Sequence, residues 1–87
     1  MTFRIETVAR AKLTIFVLSG RIDKQAIAEL RRLCDIQASY RGIVLDLKDV
    51  GVIDRNALHF FKGCEADGVM LENCPQYIRE WMEREKD

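Results

Sequence analysis

Proline and histidine each occur once in this 87-residue chain, as Pro75 and His59, and there is neither a C-x-x-C pair nor a glycine-rich phosphate loop of the G-x-G-x-x-G or G-x-x-x-x-G-K-[ST] type. Each absence removes a class of chemistry. A tetrahedral zinc site needs three or four convergent ligands. The single histidine and Cys64 stand five positions apart, which turns their side chains roughly 140° from one another on a helix. No metal and no nucleotide or other cofactor is expected. Ser19 and Ser39 lie in no nucleophile-elbow motif, and only His59 could serve as a base, so a catalytic serine has little support. Asp46, Asp49 and Asp54 read as strand-end and cap residues rather than an acid/base set.

Nor is there an excess of charge. Fourteen basic residues balance fourteen acidic ones, for a net charge of zero, so nothing draws the chain toward a phosphate backbone and nucleic acid is not an expected partner. Apolar runs fall well short of the roughly 20 residues of a spanning helix, so no membrane insertion is expected. The opening residues Met1 to Glu6 carry no signal-peptide or mitochondrial pattern. Cys34, Cys64 and Cys74 are an odd number without a disulfide spacing, which fits a reducing, cytoplasmic setting and small packed thiols. Cys74, just before Pro75 at a helix start, has the alternative reading of a thiol acidified by the helix dipole.

The residues that are present describe one small α/β domain. Phe3, Ile5 and Thr7 alternate with Arg4 and Glu6 as in a half-buried strand, and Ala9 to Lys12 is a polar connection. Leu13 to Leu18 (LTIFVL) is apolar enough for a strand covered on both faces. Asp23 is a good N-cap, with Ile22 and Ile27 placed as a hydrophobic staple, and Ala26, Leu30, Leu33 and Cys34 recur at helical spacing. That helix is expected to reach about Ser39. Gly42 to Leu47 reads as a central strand that Val50 to Ile53 continues after an irregularity at Lys48-Asp49.

Ala57, Phe60, Phe61 and Cys64 share the face of a second helix capped near Asp54 and ended by Gly68. Val69 to Leu71 supplies a short strand. Pro75 opens a last helix lined by Tyr77, Ile78, Trp81 and Met82, with fraying expected from Glu83 to Asp87. The order is ββαβαβα, a mixed β-sheet packed against helices.

Leu18-Ser19-Gly20-Arg21-Ile22-Asp23 resembles the L-x-G-x-L-D that leads into the first helix of STAS domains, the family of anti-sigma factor antagonists. Gly42 to Val50 followed by Ile53-Asp54 is similar to that family's v-v-L-D-L-s-x-V-x-x-I-D strand. The likeness spans about Phe3 to Trp81. It implies a non-catalytic regulatory module whose partner is a protein, an anti-sigma factor or its serine kinase, bound at the start of the second helix. In the family a D-S-S-G motif stands there, and phosphorylation of its second serine ends binding. Aligned on Asp54, this chain has Arg55 and Asn56 in place of the serines and Ala57 in place of the glycine. Asn56, at the acceptor position, has no hydroxyl, so the phospho-switch is expected to be missing.

Asp54, Arg55, Asn56, Leu58 and His59 are therefore the candidate partner-binding residues. Without the resemblance, Asp54-Arg55-Asn56 reads as an ordinary N-cap and first helical turn, and His59 as an exposed helix residue. A second functional class stands beside the regulator: a small cytoplasmic STAS subunit that steadies a membrane transporter complex through its ATPase. An enzyme comes third. Oligomeric state is not legible in the sequence.

Overall fold

Among the described residues, alternation and capping build an α/β domain with three helices and a four-stranded mixed sheet. The structure, a computed structural model, describes residues 3–37 and 39–85. Strands β1 (Phe3–Arg10) and β2 (Leu13–Ile22) form an antiparallel hairpin whose turn is Ala11-Lys12 alone, shorter than the four-residue connection expected. Helix α1 (Lys24–Asp35) follows, then a 3-10 turn at Tyr40–Gly42 and strand β3 (Ile43–Ile53). Helix α2 (Arg55–Ala66), strand β4 (Met70–Glu72) and helix α3 (Gln76–Arg84) complete the ββαβαβα order. The sheet runs β1-β2-β3-β4, with β3 parallel to both β2 and β4.

β3 departs from simple alternation. Val17 and Ser19 of β2 enclose one residue while their partners Asp46 and Asp49 enclose two, and adjacent Gly20 and Arg21 pair with Val50 and Val52 around Gly51. Each bulge adds one residue to β3 and re-phases which side chains face the helices. Leu45, Leu47, Val50 and Ile53 thereby all enter the core. The irregularity expected near Lys48-Asp49 is the first of these bulges.

Phe16 and Leu18 of β2 join them, together with every buried residue of the three helices. Ile15 and Val44 are also buried but stand outside this cluster. Strand alternation puts them on the opposite face, in register with the exposed Val8 and Met70 at the sheet edges.

α1 stops at Asp35, earlier than expected, because the chain must return to the sheet for Ile43 to pair with Thr14. The Thr14 hydroxyl donates to the Gln37 side chain at 3.2 Å, and the Ser39 hydroxyl accepts from the Arg41 amide at 3.2 Å to start the 3-10 turn. Ala38, within the expected helix, lies outside the described residues. α2 ends in a Schellman motif: Val69 N–H donates to Cys64 O at 2.9 Å and Gly68 N–H to Glu65 O at 3.2 Å. Gly68 has φ +102°, a conformation that side chains rarely adopt, so glycine ends this helix for a steric reason. The last strand sits one residue later than expected, and Pro75 occupies the N-cap of α3.

Candidate functional site

The two helix starts lie side by side because Ile22 and Ile53, the last residues of parallel neighbours β2 and β3, are register partners. Asp23 follows one and Asp54 the other. The Asp23 carboxylate accepts from the Gln25 and Ala26 amides at 3.1 and 3.2 Å, and the Asp54 carboxylate accepts from the Ala57 amide at 2.9 Å. Asp54 N–H donates to Ile22 O at 3.4 Å, tying the second start to the end of β2. Asp54 is thus a working N-cap that fixes the start of α2.

Beyond the cap the candidates separate. Arg55, Asn56 and His59 are exposed on α2. Leu58 is not: its exposure is 0%, within the core cluster. Its nomination as a partner-binding residue is corrected, because the apolar stripe of α2 is wide enough to take Leu58 along with Ala57 and Phe61, one and three positions away. His59 is exposed and Cys64 is buried, although both border the space between α1 and α2.

Glu85 faces the exposed side of this helix. One of its carboxylate oxygens lies 3.3 Å from the Arg55 guanidinium and the other 3.2 Å from His59 Nε2, while its backbone carbonyl accepts from the Lys62 ammonium. Arg55, His59 and Lys62 form a continuous row along α2, so the chain after α3 is laid against it. Fraying was expected from Glu83, yet α3 runs to Arg84 and Glu85 is held; Lys86 and Asp87 lie outside the described residues. The Arg79 guanidinium fixes α3 to α2 through two bonds of 3.0 Å to the Glu65 carboxylate. Ile78 and Met82 of α3 enter the core as expected, Trp81 is half-buried, and Tyr77 remains 44% exposed with its hydroxyl donating to Gly51 O.

On its other side, α2 forms one wall of a groove of about 510 Å³ whose second wall is α1. Lys24, Ile27 and Arg31 line it from α1, and Asn56, His59 and Phe60 from α2. The Arg31 guanidinium lies 4.9 Å from the centre of the Phe60 ring, a cation–π contact. Among the described residues neither Arg31 nor Lys24 has an ion-pair partner. Lys24, Arg31 and Phe60 were not among the residues expected at a site, and neither was Glu85. The available signal was the pair of cations seven positions apart on α1, which reads equally well as a solvated face.

Burial disfavours the thiolate form of all three cysteines. Burial pushes the Cys34 thiol up to about 11, helped by the nearby Asp35 charge. Burial likewise pushes Cys64 up to about 12, with Cys34 contributing. Cys74 is raised too, chiefly by burial, so the acidified-thiol reading at the start of α3 is not supported. Among the described residues no group of three or more His, Cys, Asp or Glu side chains comes together to hold a metal ion, and no helix is long and apolar enough to cross a membrane.

No family model matches the chain, and no curated protein matches it.

Proposed function

We propose that this chain is a non-catalytic regulatory binding module resembling an anti-sigma factor antagonist, docking on a protein partner through the first turns of α2. One observation carries the reading: exposed Arg55, Asn56 and His59 stand on a helix anchored from below by Ala57, Leu58, Phe60 and Phe61 and fixed at its start by the Asp54 cap. A polar recognition face on a rigid, buried scaffold suits association with little rearrangement. Arg55→Glu should leave the core intact, since an acid suits the first turn of a helix, while reversing the charge offered to the partner; because it also breaks the Arg55–Glu85 pair, Glu85→Gln is the control that loses the pair without the reversal. Titration calorimetry with an anti-sigma factor or serine kinase should show weaker binding by the variant. Equal affinity would move the interface off α2.

A second reading is favoured by the side chains at the family's serine positions. Neither the Arg55 guanidinium nor the Asn56 carboxamide supplies the hydroxyl that phosphoryl transfer to serine requires. An interaction that phosphorylation cannot end fits a standing accessory subunit of a transporter complex. Asn56→Ser separates the two: labelling by an anti-sigma kinase with ATP favours the regulator, and failure to label, also with Arg55→Ser added, favours the subunit.

A further inference from the structure

The groove between α1 and α2 combines small residues, two cations and an apolar floor at the edge of the core. Gly63 lies inside α2 and lines the groove, yet a methyl group built on it would meet nothing within 4 Å. Glycine is the poorest non-proline helix former, and here no neighbouring atom requires it. The exposed Ala28 of α1 lines the same groove, so small residues occupy both walls. Small residues on facing helices leave room for a third backbone to approach closely.

The groove also carries two cations, in a chain whose net charge is zero. Lys24 and Arg31, seven positions apart on α1, both line it without ion-pair partners among the described residues. Their separation is two helical turns, about 10.5 Å along the axis. The acidic lining residue Asp67 stands past the far end of α2. Between the cations the floor is apolar, made by Ile27 and by Phe60 beneath the Arg31 guanidinium.

We propose that this groove docks an acidic, amphipathic helix of the partner protein, with carboxylates two turns apart meeting Lys24 and Arg31 and an apolar side chain between them resting on Ile27 and Phe60 above Gly63. The proposal names the partner chemistry for the surface assigned under Proposed function and rests on that reading. A second copy of this chain is a poor occupant, because the buried apolar residues of α1, α2 and α3 all belong to its own core. An acidic helix supplies both the missing countercharge and the apolar contact.

The test uses the full-length protein and a fluorescein-labelled helical 16-residue peptide with Glu at i and i+7 and Leu at i+3 and i+4, beside a sister peptide with Lys for Glu. Fluorescence anisotropy should show the acidic peptide binding at least about tenfold more tightly than the basic one, since two charge pairs distinguish them. Arg31→Glu should reverse or erase that preference. Gly63→Leu should abolish binding by filling the floor, with circular dichroism confirming the fold, and Ala28→Leu closes the groove from the other wall should the first variant not fold. Absence of acidic-peptide binding, equal binding of both peptides, or retained affinity in both leucine variants overturns the proposal. So does sedimentation showing a wild-type dimer that Gly63→Leu dissociates, which would give the groove to a second copy. The outcomes also separate this inference from the reading it rests on: a partner complex weakened by Arg55→Glu but indifferent to Gly63→Leu removes the acidic helix and leaves the α2 surface.

Discussion

Replacing Gly63 by alanine should make the protein more stable. The residue lies inside α2, and an added Cβ finds open space within 4 Å. There is no steric term to oppose the gain. Alanine exceeds glycine in helix interiors by about 0.8–1.0 kcal/mol, largely because it restricts the unfolded chain. Position 63 is in the last turn, its carbonyl accepting from Asp67 N–H at 3.0 Å, so about 0.5–1 kcal/mol is expected after allowing for fraying. For a domain of this size that is roughly a 2–8 °C rise in melting temperature.

Urea unfolding followed by circular dichroism should show a higher midpoint with an unchanged slope. Gly68→Ala supplies the opposite sign just past the end of the same helix. Its φ is +102° and its Cβ would come within 2.9 Å of Arg41 Cγ, so a loss of about 1 kcal/mol or more is expected. A destabilised Gly63→Ala would refute the reasoning, since it would mean that the site is closed within the chain and that Gly63 is needed for packing.

Phe61→Ala, at 0% exposure in the centre of the core with Phe16 and Leu45, should cost about 3–5 kcal/mol by equilibrium denaturation; a loss below about 1 kcal/mol would contradict the assigned face of α2. Asp54→Ala removes the acceptor for the Ala57 amide and should cost about 0.5–2 kcal/mol, measured the same way, with Asn restoring most of it. The thiols set an alkaline limit. Unfolded thiols ionise near pH 8.5, whereas Cys34 and Cys64 do so at about 11 and about 12 in the fold. A folded value above the unfolded one gives stability that is complete below about pH 8.5 and is lost as pH rises through the folded values. Urea midpoints under reducing conditions should therefore fall between pH 8 and 10.5, less steeply in Cys64→Ala; identical slopes in the two proteins would exclude the thiol as the cause.

The features legible in the sequence were those set by local chemistry. Asp23 and Asp54 as caps, Gly68 as terminator and the helical spacing of Ala57, Phe61 and Cys64 depend on residues within a few positions of one another, and all stand as expected in the structure. The errors arise where tertiary structure decides. Leu58 is placed on the partner surface only by its position at the start of the second helix, whereas the width of the buried stripe depends on how closely α2 lies on β3 and β4. The early end of α1 follows from where β3 must begin.

The candidate site divides along the same line. Its helix start was readable from Asp54-Arg55-Asn56. The contact of Glu85 with Arg55 joins residues far apart in the chain, and so does the groove between Arg31 and Phe60. No local pattern marks such pairs.

The central claim is that the first turns of α2 meet a protein. Its most direct test is site-specific photo-crosslinking in the native cell, with the photoreactive residue replacing exposed Asn56 in one strain and exposed Lys48, on the bulged stretch of β3, in another. A discrete protein adduct formed from position 56, absent from position 48 and lost on adding Arg55→Glu, is the predicted result. Adducts of equal yield from both positions, or from position 48 alone, would contradict the claim.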